Sequence, residues 1–126
     1  MQSTQTPWYQ SYPEDVQPQV DVAPFRSINH LFVSICKSHA QKTAFISMEH
    51  GITYQELNNQ VGYLAAFLQQ KCQLKQGDKL ALVLPNIIQY PVAVFAALKI
   101  GLIVVNINPL YTACEMQILF IWLLHV

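Results

Sequence analysis

The sequence has little charge and little glycine, and both shortages exclude classes of function. Only 11% of its 126 residues are charged, and seven acidic residues balance seven basic ones. An average soluble domain has about 25% charged residues, and without a basic surplus nucleic acid is not expected as a partner. The four glycines form neither G-x-G-x-x-G nor G-x-x-x-x-G-K-[ST], so no phosphate-binding loop is present. There is no G-x-S-x-G nucleophile elbow either.

Cysteine pairs and targeting segments are also lacking. Cys36, Cys72 and Cys114 lie far apart and form no C-x-x-C motif, which indicates reduced thiols in the cytoplasm rather than a disulfide framework. The first residues show no basic stretch followed by an apolar one, so no signal peptide is predicted. The uncharged stretch 80–98 contains Pro85 and Pro91. These prolines favour a strand, a turn and a buried helix over a membrane span.

What is present is a pattern of alternating helices and strands after a proline-rich start. Residues 1–24 hold four of the seven prolines and are predicted to be an extended arm. An amphipathic helix is predicted over 28–40, with Ser27 as its N-cap. Residues 43–48 and 52–54 then predict a β-hairpin, with the turn at Glu49–Gly51.

The second half predicts a β-α-β unit. Thr53 and Glu56 have the spacing of a capping box, and the helix that follows reaches about residue 71. Residues 79–85 and 102–107 are continuous apolar strands of the kind buried on both faces of a parallel sheet. Asn86 can cap the helix between them, and Pro91 is tolerated in its first turn if the helix begins near Gln89. Gly101 lies at the position that glycine favours after a helix.

Few residues in the sequence are candidates for chemistry. His30, His39, His50 and His125 have no metal-ligand spacing, so they are interpreted as ordinary packed or solvated side chains. Cys114 lies in the first turn of a helix, where a thiol pKa can fall, but a nucleophile also needs a base and an oxyanion site, and neither is visible.

Two further polar pairs lie near the end of the second strand. Thr112 and Glu115 are predicted to be a second helix cap. Asn106 and Asn108 follow the carboxyl end of a buried strand, where α/β proteins place ligands, and they are the one hint of a binding site. From the residues themselves, we assign no catalytic, cofactor-binding or metal-binding residue.

Two long stretches resemble the adenylate-forming (AMP-binding) enzymes. The first is "ITYQELNNQVGYLAAFLQ" at 52–69, and the second is "LPNIIQYPVAVFAALKIGLIVVNINPLYTACE" at 84–115. "LKQGDKLALVLPN", "QYPVAVF", "VVNINPLYT" and the arm's "PWYQSYPEDV" are similar to bacterial long-chain fatty acid–CoA ligases. The resemblance covers roughly residues 7–117. It implies an α/β fold, namely the incomplete first portion of the large N-terminal domain, with a hairpin and a β-α-β unit of parallel strands.

The resemblance also implies an activity for the intact enzyme. Such ligases use ATP and Mg²⁺ to convert a fatty acid to an acyl-adenylate, which coenzyme A converts to a thioester. The phosphate loop, the adenine and ribose motifs and the catalytic lysine of the family have no counterpart in this sequence. Residues 1–24, 25–117 and 118–126 are therefore predicted to be an arm, a partial AMP-binding domain and an aberrant tail. This fragment is expected to bind no cofactor and to be inactive alone, unless a separately encoded remainder of the ligase completes it.

The tail leaves an alternative function open. Eight of the nine residues in "ILFIWLLHV" at 118–126 are apolar, and a helix that is apolar on every side must be buried or lie in lipid. The main hypothesis is a truncated or frame-shifted reading frame in a cytoplasmic ligase. The alternative is a small non-catalytic protein that uses 118–126 to contact a partner or the inner face of the membrane.

Overall fold

Helices and strands alternate along the computed structural model, which describes residues 7–124 except 18 and 20. The strands are β1 (Thr43–Ser47), β2 (His50–Thr53), β3 (Lys79–Leu82) and β4 (Ile103–Asn106). The α-helices are α1 (Ile28–Ser38), α2 (Tyr54–Gln70), α3 (Gln89–Lys99) and α4 (Ala113–Leu124), and a 3₁₀ helix at Pro7–Ser11 lies within the arm predicted to be extended. Strands β1 and β2 form an antiparallel hairpin, and β3 and β4 form a parallel pair joined through α3. The predicted α/β fold with a hairpin and a β-α-β unit is therefore confirmed.

Side-chain caps fix where the first two of these helices begin. The Ser27 hydroxyl accepts a hydrogen bond from the backbone N–H of His30 at 3.1 Å, which starts α1. At the start of α2, Glu56 N–H donates to the Thr53 hydroxyl, and the Glu56 carboxylate accepts from Thr53 N–H at 2.9 Å. Both predicted caps are confirmed. Each satisfies backbone N–H groups that have no partner within the helix.

Helix α3 differs at its start from the prediction and agrees with it at its end. Its N-cap is Ile88, with no side-chain cap, so the assignment of Asn86 as cap is wrong, while the start at Gln89 is confirmed. Gly101 has a φ of 77°, and its N–H donates to Leu98 O at 3.2 Å. The N–H of Leu102 donates to Ala97 O at 3.0 Å. These two bonds form the Schellman motif that ends many helices.

The hairpin turn begins one residue earlier and ends two residues earlier than the predicted turn. Ser47 pairs with His50, which leaves Met48 and Glu49 as the two-residue loop. Their φ angles are 50° and 65°, as a type I′ turn requires. Gly51, on which the sequence prediction relied, lies inside β2. The predicted return strand 52–54 is therefore wrong at both ends: β2 begins at His50, and Tyr54 begins α2.

The core lies between the helices and one face of the parallel pair. Helices α1, α2 and α3 pack on one another, and Leu57 and Val61 of α2 are the largest fully buried side chains. Phe32 of α1 and Phe95 of α3 stack with ring centroids 4.0 Å apart. The remaining members of this cluster are apolar and buried: Cys36, Ile52, Ala65, Leu68, Val92, Ala96, Ala97 and Leu102.

The parallel pair is covered on one face only within the described residues. Leu82 is buried, but Val83 is 38% exposed and Ile103 is 50% exposed. The prediction that both faces of these strands are buried is therefore wrong for this part of the chain. The continuous apolar runs of these strands exceed what α1–α4 cover, since one face of the pair remains exposed. No helix among the described residues is long and apolar enough to cross a membrane.

Candidate functional site

The carboxyl end of the parallel pair is the place where the sequence suggested a ligand site. Leu82 of β3 and Asn106 of β4 are opposite each other at this end, and Ile107 N–H donates to Leu82 O at 2.9 Å. Asn106 is exposed, so its amide faces solvent at the end of the sheet. The structure thus brings the two strand ends together as the sequence predicted, in the position that α/β proteins use for ligands.

Asn108 has a structural role in the same loop. Its side-chain Oδ1 accepts a hydrogen bond from Leu110 N–H at 3.0 Å, and its backbone carbonyl accepts from Tyr111 N–H at 3.1 Å. An asparagine bonded to the backbone two residues ahead forms an Asx-turn. The side-chain oxygen of Asn108 is therefore already engaged in shaping the loop, which leaves Asn106 as the candidate ligand contact.

Thr112 and Glu115 form the predicted second capping box. The Glu115 carboxylate accepts from the N–H and the hydroxyl of Thr112, each at 2.7 Å, and the Thr112 hydroxyl accepts from Glu115 N–H at 3.4 Å. The hydrogen bond from the Thr112 backbone, followed by the one from its hydroxyl, lowers the pKa of Glu115. These bonds begin α4.

The reactive side chains are dispersed over the fold. Cys114 is an exposed free thiol in the first turn of α4, whereas Cys36 is buried in the core, where desolvation raises its thiol pKa. His30 Nδ1 accepts from Arg26 N–H at 3.4 Å, and the ring of His39 lies 6.3 Å from that of Tyr54. His125 is outside the described residues. Between residues 7 and 124, leaving out 18 and 20, no three His, Cys, Asp or Glu side chains could hold a metal ion together.

Comparison with known proteins places these elements in a family. The family model for "AMP-binding enzyme" matches residues 32–120, which includes both capping boxes and the β-α-β unit. The chain is 41% identical over 110 residues to a long-chain-fatty-acid–CoA ligase of Salmonella typhimurium, which covers 87% of this chain and 20% of the relative. A long-chain-fatty-acid–CoA ligase of Bacillus subtilis is 34% identical over 118 residues, covering 93% of this chain and 20% of the relative.

Solved structures are similar to this chain in fold as well. The N-terminal subdomain of Klebsiella oxytoca NpsA, in complex with 3-hydroxyanthranilyl-AMSN, matches with a TM-score of 0.73 and 27% identity. That match covers 77% of this chain and 25% of the NpsA chain. The chain spans about one-fifth of the length of the ligases named above. By its sequence and by its fold, the chain belongs to the AMP-binding, or adenylate-forming, enzyme family, with long-chain-fatty-acid–CoA ligases among its relatives.

Proposed function

We propose that this chain is the first part of the large N-terminal domain of a long-chain fatty acid–CoA ligase. The observation that carries the proposal is its 41% identity over 110 residues to a ligase of that specificity. The intact enzyme would use ATP and Mg²⁺ to form an acyl-adenylate from a fatty acid, and coenzyme A would then release the acyl group as a thioester. ATP, Mg²⁺, the fatty acid and coenzyme A are partners of that intact enzyme.

In this proposal the chain supplies scaffold, and no residue of it performs the chemistry. The two capping boxes fix the starts of α2 and α4, and the Schellman motif at Gly101 directs the chain from α3 into β4. The Asx-turn at Asn108 then shapes the loop at the carboxyl end of the sheet. These features fix the positions of the carboxyl ends of β3 and β4, and the nucleotide site of the intact ligase would form next to these ends. The catalytic, cofactor-binding and metal-binding groups belong to other parts of the ligase.

The chain alone is expected to be inactive. It spans about one-fifth of its ligase relatives, and its sequence contains no phosphate-binding glycine loop. Incubation of the purified chain with palmitate, ATP, Mg²⁺ and coenzyme A should release pyrophosphate no faster than a blank. Sustained pyrophosphate release that needs both palmitate and the chain would overturn this expectation.

A chimera tests the positive part of the proposal. The matching segment of the Salmonella typhimurium ligase is replaced by residues 7–117 of this chain, and acyl-CoA formation is measured with palmitate. Because the caps and turns are those of the family scaffold, the chimera should fold and keep activity within about tenfold of the parent. A folded chimera with no activity would refute the scaffold role.

The same experiment tests the proposed boundary before the tail. A second chimera carries residues 7–126 in place of the aligned ligase segment, so that 118–126 replaces the nine ligase residues that follow in the first chimera and the total length stays the same. If 118–126 is foreign to the ligase scaffold, this chimera should lose activity that the first retains. Equal activity of the two would place the boundary beyond residue 117, in keeping with the family match through residue 120.

Neither the structure nor the relatives support the alternative function. A non-catalytic protein that binds a membrane or a partner through its apolar tail has no counterpart among the ligases and subdomains named above. The ligase function is therefore the only one proposed.

A further inference from the structure

The outer side of α2 carries two exposed aromatic side chains. Tyr63 is 77% exposed and Phe67 is 53% exposed, and residues four apart on a helix are neighbours on its surface. The opposite side of α2 packs into the core through four apolar residues, Leu57, Val61, Ala65 and Leu68. Helix α2 therefore presents an aromatic patch to solvent in addition to the apolar face that it buries.

The residues around the two aromatic rings are uncharged. The solvent-facing side of a surface helix ordinarily includes charged residues, whereas the exposed neighbours of Tyr63 and Phe67 on this side are amides and one alanine. An aromatic centre without charge, surrounded by polar groups, is the composition of protein–protein interfaces. We call this surface the α2 face, and it consists of Asn59, Gln60, Tyr63, Ala66, Phe67 and Gln70.

Opposite charges lie at the two ends of the α2 face. Glu56 precedes Tyr63 by seven residues, about two helical turns, and so lies on the same side of α2. Lys71 follows Phe67 by four residues at the other end. The N–H and the hydroxyl of Thr53 both donate to Oε2 of Glu56, each at 2.9 Å, so the other carboxylate oxygen can accept from a cation. The α2 face thus extends from a carboxylate to an ammonium group about 22 Å away along the helix.

A second copy of the chain complements this arrangement of charges in one orientation. If two α2 faces meet antiparallel across a two-fold axis, the aromatic patches meet at the centre. Each Glu56 then lies at the end that carries Lys71 of the second copy. If the two helices were parallel, Glu56 would meet Glu56 and Lys71 would meet Lys71, and like charges repel. A two-fold contact between identical patches is also the commonest form of homo-oligomer.

We propose that two copies of the chain form a dimer by antiparallel packing of their α2 faces. One pair of helices buries less area than the roughly 1,600 Å² of a standard interface, so the dimer is weak, with a Kd on the order of 10–100 µM. The α2 face shares no residue with the carboxyl ends of β3 and β4 or with the exposed side of these strands. The proposal does not depend on the ligase function.

The test is made in a variant that lacks the other exposed apolar side chains most able to associate. The full chain carrying Ile103→Thr/Ile118→Lys loses one exposed isoleucine from β4 and one from α4, and its α2 face is unchanged. Sedimentation velocity of this double variant, over concentrations from about 5 to 500 µM, should show an equilibrium between monomer and dimer with a Kd in the range given above.

Two further substitutions in the double variant locate the interface. Tyr63→Glu places two carboxylates at the centre of the dimer and should raise the Kd at least tenfold, because like charges that face each other oppose association. Leu110→Glu is the matched control. Leu110 is 86% exposed in the loop before α4, so the same charge is added outside the α2 face and the Kd should stay the same. Circular dichroism shows whether each variant is folded.

Salt dependence and a charge reversal test the orientation of the two helices. An increase in NaCl from about 50 to 500 mM should raise the Kd about threefold, because it screens the attraction between Glu56 and Lys71. Lys71→Glu should also raise the Kd, and its dimer should become tighter with added salt, since two carboxylates then face each other at each end. This reversal does not depend on the folding of Tyr63→Glu.

Three results would overturn the proposal. The first is a double variant that stays monomeric over the whole concentration range, which would assign self-association to β4 and α4 instead. The second is a folded Tyr63→Glu variant with an unchanged Kd. The third is a dimer that tightens with salt while Lys71 is present, because attraction between Glu56 and Lys71 is weakened by salt.

Discussion

Gly101 shows how much of this fold depends on one residue without a side chain. Its φ of 77° lies in the left-handed region, where an L-residue costs roughly 1–2 kcal/mol. An added Cβ would also lie 2.9 Å from Cγ of Gln76 in the loop before β3. Both effects act at the point where α3 ends and the chain turns into β4, and a substitution there strains the helix end and the start of the strand together.

We expect Gly101→Ala to lower the free energy of unfolding by about 2 kcal/mol, measured by urea titration. Gly62→Ala is the matched control. Gly62 is inside α2, and its added Cβ would come no closer than 3.8 Å to Lys99 Nζ, so alanine there should stabilise by about 0.5–1 kcal/mol. The double variant Gln76→Ala/Gly101→Ala should recover the steric part of the loss only. An unchanged stability of Gly101→Ala would contradict the helix-end role given to this residue.

Helices α2 and α4 both begin with a capping box, and the stability that each capping box contributes should depend on pH. Hydrogen bonds from the Thr53 backbone, and secondarily from its hydroxyl, lower the pKa of Glu56. A carboxyl whose pKa is lower in the folded state stabilises the fold above its unfolded pKa, about 4.3 for glutamate. That contribution is lost as the pH falls through the lowered folded value.

We therefore expect Glu56→Gln to make stability less dependent on pH on the acid side. Glutamine can still accept the capping hydrogen bonds, but it does not titrate. The free energy of unfolding should fall less between pH 6 and pH 3 in the variant than in the parent. Glu115→Gln should act in the same direction, since the Thr112 bonds lower the pKa of Glu115 in the same way. An identical pH dependence in the parent and in Glu56→Gln/Glu115→Gln would refute the assignment.

The elements also show which parts of the structure the sequence could predict. The T-x-x-E spacing predicted both capping boxes, because a cap is formed by neighbours in sequence. The hairpin turn was misplaced because its left-handed positions are occupied by Met48 and Glu49, residues that do not favour that conformation. The apolar pocket between α1, β1, α2 and α3 had no sequence signal at all. Its walls come from four elements, and only packing brings Leu31, Phe45 and Phe95 together.

At the scale of the whole molecule, the apolar pattern of the sequence exceeds what the fold buries. Ile103 of β4 is 50% exposed, and on α4 the exposed fractions of Ile118 and Ile121 are 52% and 50%. Helix α4 makes little contact with the other described elements. A two-stranded sheet also leaves unpaired strand edges among the described residues, and such edges and apolar patches favour association. Stability and solubility should therefore be limited by the same surface.

The purified chain is accordingly expected to be marginally stable, with a free energy of unfolding below about 5 kcal/mol, and to self-associate. The double variant Ile103→Thr/Ile118→Lys should reduce association in analytical ultracentrifugation. It should change the free energy of unfolding by no more than about 0.5 kcal/mol, because substitutions at exposed positions cost little.

Leu82→Thr is the contrasting control. Leu82 is 7% exposed on the covered side of β3, so its substitution should cost about 2 kcal/mol or more. If the double variant unfolds as readily as Leu82→Thr, the exposed face contributes to the core of the isolated chain. A parent chain that stays monomeric and melts cooperatively at high temperature would show instead that α1–α4 and the two strand pairs form a sufficient core by themselves.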